Sequence, residues 1–128
     1  MRVLVADHQP KVRFALRVLL ERRPGSRTVE EAADALEVLV QVMKTCPDVV
    51  LLAWDLPGRE DLDLVRALRR ICPNVEIIAL SGRLEARRAS LDAGVDAFIS
   101  KGDPPERLMA AIESRQWEHR AQRASNPI

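Results

Sequence analysis

Short apolar runs alternate with longer amphipathic segments five times along the 128-residue chain. The clearest run, 49–52, contains only Val and Leu, which is typical of a strand buried on both faces of a parallel sheet. The longer segments repeat their apolar positions with helical spacing. We predict strands at 2–6, 27–31, 48–53, 75–80 and 96–100, and helices at 10–22, 33–45, 60–71, 84–93 and 104–122.

This alternation predicts an α/β fold with a doubly wound, five-stranded parallel sheet, because parallel strands are joined by helical crossovers that cover both faces. Pro10 and the Pro104–Pro105 pair suit the first turns of helices, and Gly94 suits the end of one. We expect one domain over residues 1–121 and a flexible C-terminal tail at 122–128.

The second predicted helix is apolar except for one narrow polar stripe. Such a helix is typically sunk between its neighbours, and the alternative is an exposed contact patch. We expect its core-facing residues to be Leu36, Leu39, Val40 and Met43, with Ala35, Val38 and Val42 on a flank.

Composition and charge exclude some classes of function, but they say less about the protein than its pattern of hydrophobic and polar residues does. The chain is 47% hydrophobic and 30% charged, with a formal net charge of +1, so it has no general attraction to nucleic acid or anionic membranes. No apolar stretch is long enough to span a membrane, and the first residues form a predicted strand rather than a signal peptide. We therefore expect a cytoplasmic protein in which Cys46 and Cys72 are reduced. Their spacing fits no metal motif.

Candidate chemistry lies where the predicted strands end, because doubly wound sheets bind ligands at the carboxyl ends of their strands. Singly, each residue has a simple structural explanation: Asp7 would cap a helix, Ser81 would make a turn and Lys101 would be a solvated charge. Together at one sheet edge, they are typical of a site that handles phosphate. The residues at these strand ends are Asp7, His8, Ala53, Trp54, Asp55, Ser81 and Lys101.

Over about residues 2–115 the chain resembles the receiver domain of bacterial two-component response regulators. The matching segments are LVADHQPKVRFALRVLL, PDVVLLAWDLPG, IIALSG and GVDAFISKG. That family has an acidic pair after strand one, a phosphorylated Asp ending strand three, Ser or Thr after strand four and Lys after strand five. The resemblance implies a flavodoxin-like sheet with strand order 2-1-3-4-5.

In the register of the family, Asp7, Ser81 and Lys101 match its site residues, and Phe98 matches its aromatic switch position. Two positions depart from the pattern. Ala53 stands in the place of the phosphoacceptor, and a methyl group offers no oxygen to an incoming phosphoryl group. His8 stands in the place of the second acidic residue, where magnesium prefers an oxygen ligand.

These departures change the chemistry that we expect of the site. Lys101 is free to pair directly with Asp7. We expect magnesium binding to be weak or absent, with Asp7 and Asp55 as weak candidate ligands, and no other cofactor. Asp55 is a poor substitute acceptor, because two strand residues span roughly 6.6 Å and a misplacement of about 1 Å can cost roughly a hundredfold in rate.

We interpret the chain as a pseudo-receiver, which is a phosphorylation-independent protein-interaction module of two-component or phosphorelay signalling and not an enzyme. The resemblance implies a protein partner or a homodimer, bound through helix four, strand five and helix five or through helices one and five. We expect neither specific nucleic-acid nor membrane binding.

Two alternatives come from other classes of protein. The chain could be the receiver half of a transcriptional regulator with a C-terminal helix-turn-helix domain, although we expect too few residues after the fifth helix for one. An enzyme on the same architecture is disfavoured because no Gly-rich phosphate loop follows the first strand, where DHQPK stands.

Overall fold

The computed structural model describes residues 1–25 and 27–114. Within these ranges, five strands form one parallel sheet with the order β2-β1-β3-β4-β5, as predicted. A fifth helix, α5, occupies 105–114, and the tail expected at 122–128 lies outside the described residues. The strands are β1 (Arg2–Ala6), β2 (Thr28–Ala32), β3 (Val49–Ala53), β4 (Glu76–Ser81) and β5 (Ala97–Ser100). The first four helices are α1 (Pro10–Arg22), α2 (Ala35–Lys44), α3 (Leu64–Ile71) and α4 (Ala86–Asp92).

Two hydrophobic cores cover the two faces of the sheet. Side chains alternate between the faces along each strand, so Leu4 of β1 packs with α2 and α3, whereas its neighbours Val3 and Val5 pack with α1 and α5. Every residue of β3 is buried, which accounts for its unbroken apolar sequence. None of the helices in the described ranges is long and apolar enough to cross a lipid bilayer.

The prediction for the orientation of α2 is wrong except at Leu39, which is partly buried against the core. The helix buries its small and β-branched residues Ala35, Val38 and Val42, while Leu36, Val40 and Met43 are exposed. The start of the helix lies close to the turn that follows β3, since a Cβ added at Gly58 would lie 3.2 Å from the Cβ of Ala35. Leu36, Val40 and Met43 therefore form an exposed apolar patch on the opposite side of the helix.

The third helix begins four residues later than predicted. Residues 57–63 form turns, and Asp63 has a left-handed backbone with φ of 43° directly before α3. A left-handed non-glycine residue interrupts a regular helix. The segment 60–63, which we assigned to the helix, therefore belongs to the loop that follows β3.

The expectation of two reduced cysteines is also wrong, because Cys46 and Cys72 form a disulfide with a Cα–Cα distance of 5.7 Å. Cys46 precedes β3 and Cys72 precedes β4, and these strands are neighbours in the sheet. The two turns therefore meet at the amino-terminal edge of the sheet. This is the edge opposite to the one that carries the candidate site.

Candidate functional site

An ion pair between Asp7 and Lys101 lies at the centre of the carboxyl edge of the sheet. Asp7 follows β1 and is 1% exposed, and Lys101 follows β5. The Lys101 Nζ donates a hydrogen bond to Asp7 Oδ2 at 2.9 Å. The other carboxylate oxygen, Oδ1, accepts a bond from the backbone N–H of Gln9 at 2.9 Å. Both oxygens of Asp7 are therefore occupied by donors of the protein itself, and the pairing predicted from the sequence is confirmed.

His8 lies beside this pair and is more open to solvent. Its Nδ1 is 3.8 Å from Asp7 Oδ1 and 4.0 Å from Asp55 Oδ2. Both distances are too long for hydrogen bonds. The imidazole thus lies between two carboxylates without being fixed by either of them.

The end of β3 places an apolar residue and an acidic residue at different depths. Ala53 pairs with Leu80 of β4 and is fully buried. The side chain of Asp55 is 62% exposed and lines a cavity of about 560 Å³ at this edge of the sheet. The acidic residue thus lies in the loop and not at the end of the strand.

The same cavity is lined by Ser81 and Lys101 and by the loop residues Trp54 and Arg59. The Arg59 guanidinium stacks on the Trp54 ring, 3.6 Å from its centroid, and Arg59 Nε donates to the Trp54 carbonyl at 2.7 Å. Such a cation–π contact is worth about 1 kcal/mol. It fixes Trp54 as one wall of the cavity.

Ser81 and Phe98 occupy the remaining predicted positions. Ser81 Oγ accepts a hydrogen bond from the backbone N–H of Arg83 at 3.0 Å, which is the turn role that the sequence allowed. Phe98 lies on β5 opposite Ala79 and is partly buried against the core that contains α2 and α3. The fold therefore brings the predicted residues to one edge, with Phe98 on β5, three residues before Lys101 of the ion pair.

Sequence reasoning missed Arg13, which holds the loop that carries Asp7. Its Nη1 donates to the Asp7 carbonyl at 2.7 Å and its Nε donates to Glu31 at 3.1 Å. An arginine one turn into a helix is usually a solvated charge, so no local signal marked it. Arg59 lies in the turns after β3, where an arginine is also usually a solvated charge, and it was missed as well.

The residues present do not fit a magnesium ion. Magnesium requires several oxygen ligands in near-octahedral geometry, but Asp7 is saturated by Lys101 and Gln9, and His8 presents a nitrogen. Over residues 1–25 and 27–114, no group of three or more His, Cys, Asp or Glu side chains is arranged to hold a metal ion.

Comparison with known proteins identifies the family to which the chain belongs. The family model of the response regulator receiver domain matches residues 3–113, and the chain therefore belongs to that family. It is 34% identical over 114 residues to the nitrate/nitrite response regulator protein NarP of Escherichia coli, covering 88% of this chain and 53% of NarP. It is 34% identical over 116 residues to the response regulator MprA of Mycobacterium leprae, covering 89% of this chain and 50% of MprA. The chain thus spans about half the length of these curated relatives.

Solved structures place the fold in the same class. A two-component response regulator of the LuxR family from Aurantimonas superposes with a TM-score of 0.79 at 32% identity, covering 88% of this chain and 82% of that one. A CheY-like receiver domain protein from Methanospirillum hungatei superposes with a TM-score of 0.83 at 28% identity, covering 94% of this chain and 97% of that one. The predicted α/β receiver fold is confirmed.

Proposed function

We propose that this chain is a pseudo-receiver that acts as a phosphorylation-independent protein-interaction module in two-component or phosphorelay signalling. The observation that carries the proposal is Ala53, which ends β3 where the family pattern has its phosphoacceptor. Acyl phosphate formation needs a carboxylate oxygen in line with the phosphorus atom, and electrostatic stabilisation cannot replace a missing reactant.

The Asp7–Lys101 pair supports the same proposal. A site with three carboxylates around one lysine would carry excess negative charge, which a divalent cation relieves. Here Asp7 is neutralised by Lys101 at 2.9 Å, so the charge of Asp7 is balanced without a metal. Asp55 is a poor replacement for the acceptor because its side chain is largely in solvent, two residues beyond the end of the strand.

A partner would bind through what we call the α4 surface, formed by Leu84, Arg87, Arg88 and Leu91. Leu84 is 74% exposed and Leu91 is 40% exposed, and the Arg88–Asp92 pair is loose at 3.9 Å. Arg87 makes no ion pair with any residue in the described ranges. Apolar side chains beside one unpaired and one loosely paired arginine suit a partner with an acidic, partly apolar surface. A homodimer through this surface or through α1 and α5 is the alternative mode of association.

Affinity capture from a lysate of the source organism tests this proposal. Immobilised wild type should retain the same partner with and without acetyl phosphate and magnesium. Arg87→Glu should lose that partner, whereas the control Arg70→Glu, on the exposed side of α3, should retain it. A partner that binds only after treatment with acetyl phosphate would refute the proposal.

The second candidate function is the receiver half of a DNA-binding transcriptional regulator. It is favoured by relatives about twice as long as this chain, such as NarP, and by the similarity to the LuxR-family response regulator from Aurantimonas. The length of the native reading frame decides between the two.

For both candidate functions we propose a cytoplasmic location. Disulfides are rare in the cytoplasm, so the redox state of Cys46 and Cys72 in the cell tests that location.

A further inference from the structure

A second cavity, of about 430 Å³, lies on the face of the sheet that α1 and α5 cover. Its walls are largely apolar and include Leu16 and Leu19 of α1, Ile99 of β5 and Leu108 of α5. The cavity lies within the size range of small-molecule pockets, which are lined mainly by apolar groups with a few placed polar ones. It is separate from the 560 Å³ cavity, and among the residues that the structure describes Lys101 is the one that lines both.

The charges at the mouth of this cavity are not balanced. Asp103 accepts a bond from the Ser100 N–H at 3.0 Å and lies 3.5 Å from Arg107, while Lys101 is paired with Asp7. Lys11, at the start of α1, is exposed and makes no hydrogen bond or ion pair with the residues of 1–25 and 27–114. One uncompensated cation therefore stands at the entrance of an apolar pocket.

We propose that this cavity binds a small amphiphilic acid, with an apolar body between α1 and α5 and a single carboxylate at Lys11. The apolar walls favour a ligand of low polarity, and Lys11 favours one negative charge at the entrance, where a charge-assisted hydrogen bond forms. Ligand binding at this site does not depend on phosphorylation, so its test is independent of the test of the pseudo-receiver proposal.

Backbone amide NMR shifts of the full chain, titrated with decanoate, test the proposal. Decanol, which has the same chain length without the charge, is the matched ligand. Saturable shifts are expected at residues 11–19 and 99–108, and decanol should bind about tenfold more weakly. Lys11→Gln should weaken decanoate binding about tenfold and leave decanol unchanged, while the control Lys44→Gln, at the end of α2, should change neither.

A second pair of variants tests the location. Ala15 lines the cavity and is exposed on α1, so Ala15→Phe should fill the pocket and abolish binding of both ligands. Ala110→Phe, on the exposed side of α5, is the control. Three results would overturn the proposal: no saturation, equal binding of decanoate to Lys11→Gln and wild type, or shifts confined to another surface.

Discussion

The Nζ of Lys101 lies 2.9 Å from the Oδ2 of Asp7, although 94 residues separate the two in sequence. The carboxylate is 2% exposed and the Lys101 side chain is 26% exposed. A charge buried to this degree is stable only with a partner. The pair therefore holds the ends of β1 and β5 together and occupies one of the two Asp7 oxygens that a metal would need, while the Gln9 N–H occupies the other.

Removing the positive charge of Lys101 should lower the free energy of unfolding. Lys101→Met leaves Asp7 buried without its counter-charge, and we expect a loss of about 3 kcal/mol in the free energy of unfolding, measured by urea denaturation. Asp7→Asn combined with Lys101→Met should recover a part of this loss, because no unpaired charge remains. Lys44→Met is the surface control. If the free energy of unfolding of Lys101→Met equals that of Lys44→Met, the pair does not stabilise the fold.

Magnesium should not bind saturably below millimolar concentration. Trp54 lines the cavity, so its fluorescence reports on ligands there, and Trp117→Phe removes the other tryptophan signal. Because Asp7 is engaged by Lys101 and His8 offers a nitrogen, the titration should be flat. Saturable quenching at submillimolar magnesium would mean that Asp55 and backbone carbonyls form a metal site.

Two substitutions should rebuild the missing chemistry. The double variant His8→Asp, Ala53→Asp adds two carboxylates next to Asp7, and we expect it to bind magnesium and to accept phosphate from acetyl phosphate. Without metal it should be less stable than the wild type, because like charges are crowded together. Ala53→Asp alone should restore phosphorylation only in part, because His8 still offers magnesium a nitrogen. A double variant that binds magnesium but is never phosphorylated would show that more of the site has been lost.

The disulfide should stabilise the fold from the opposite edge. Cys46 and Cys72 are 26 residues apart, and closing a loop of that size in the unfolded chain is worth about 3.5 kcal/mol. We expect dithiothreitol to lower the stability of the wild type but not that of Cys46→Ser, Cys72→Ser. Thiol labelling of the protein in intact cells measures how much of it is oxidised there. Equal stability with and without reductant would contradict this role of the bond.

The sequence predicted most of the fold and where the candidate site lies. Strand order and the meeting of Asp7, Ser81 and Lys101 follow from the periodicity and from the family pattern, because carboxyl ends of parallel strands share one edge. The orientation of α2 did not follow, since polarity does not distinguish Val38, which is buried, from Val40, which is exposed.

Contacts between distant segments were the other features that the sequence did not reveal. The Cys46–Cys72 bond depends on two turns that meet at one edge of the sheet. Because cysteines are usually reduced in cytoplasmic proteins, the sequence led us to predict free thiols instead. Arg13 and Arg59 act through backbone carbonyls, which leave no signature in the residue types around them.

The most direct test of the central claim is intact-mass spectrometry of the wild-type chain after incubation with acetyl phosphate and magnesium. The double variant His8→Asp, Ala53→Asp serves as the comparison, and Asp55→Asn helps to assign any adduct. We predict that the wild type carries no phosphoryl group, because position 53 has no oxygen to accept it. A phosphoryl adduct on the unmodified chain, mapped to Asp55 or Asp7, would contradict the pseudo-receiver account.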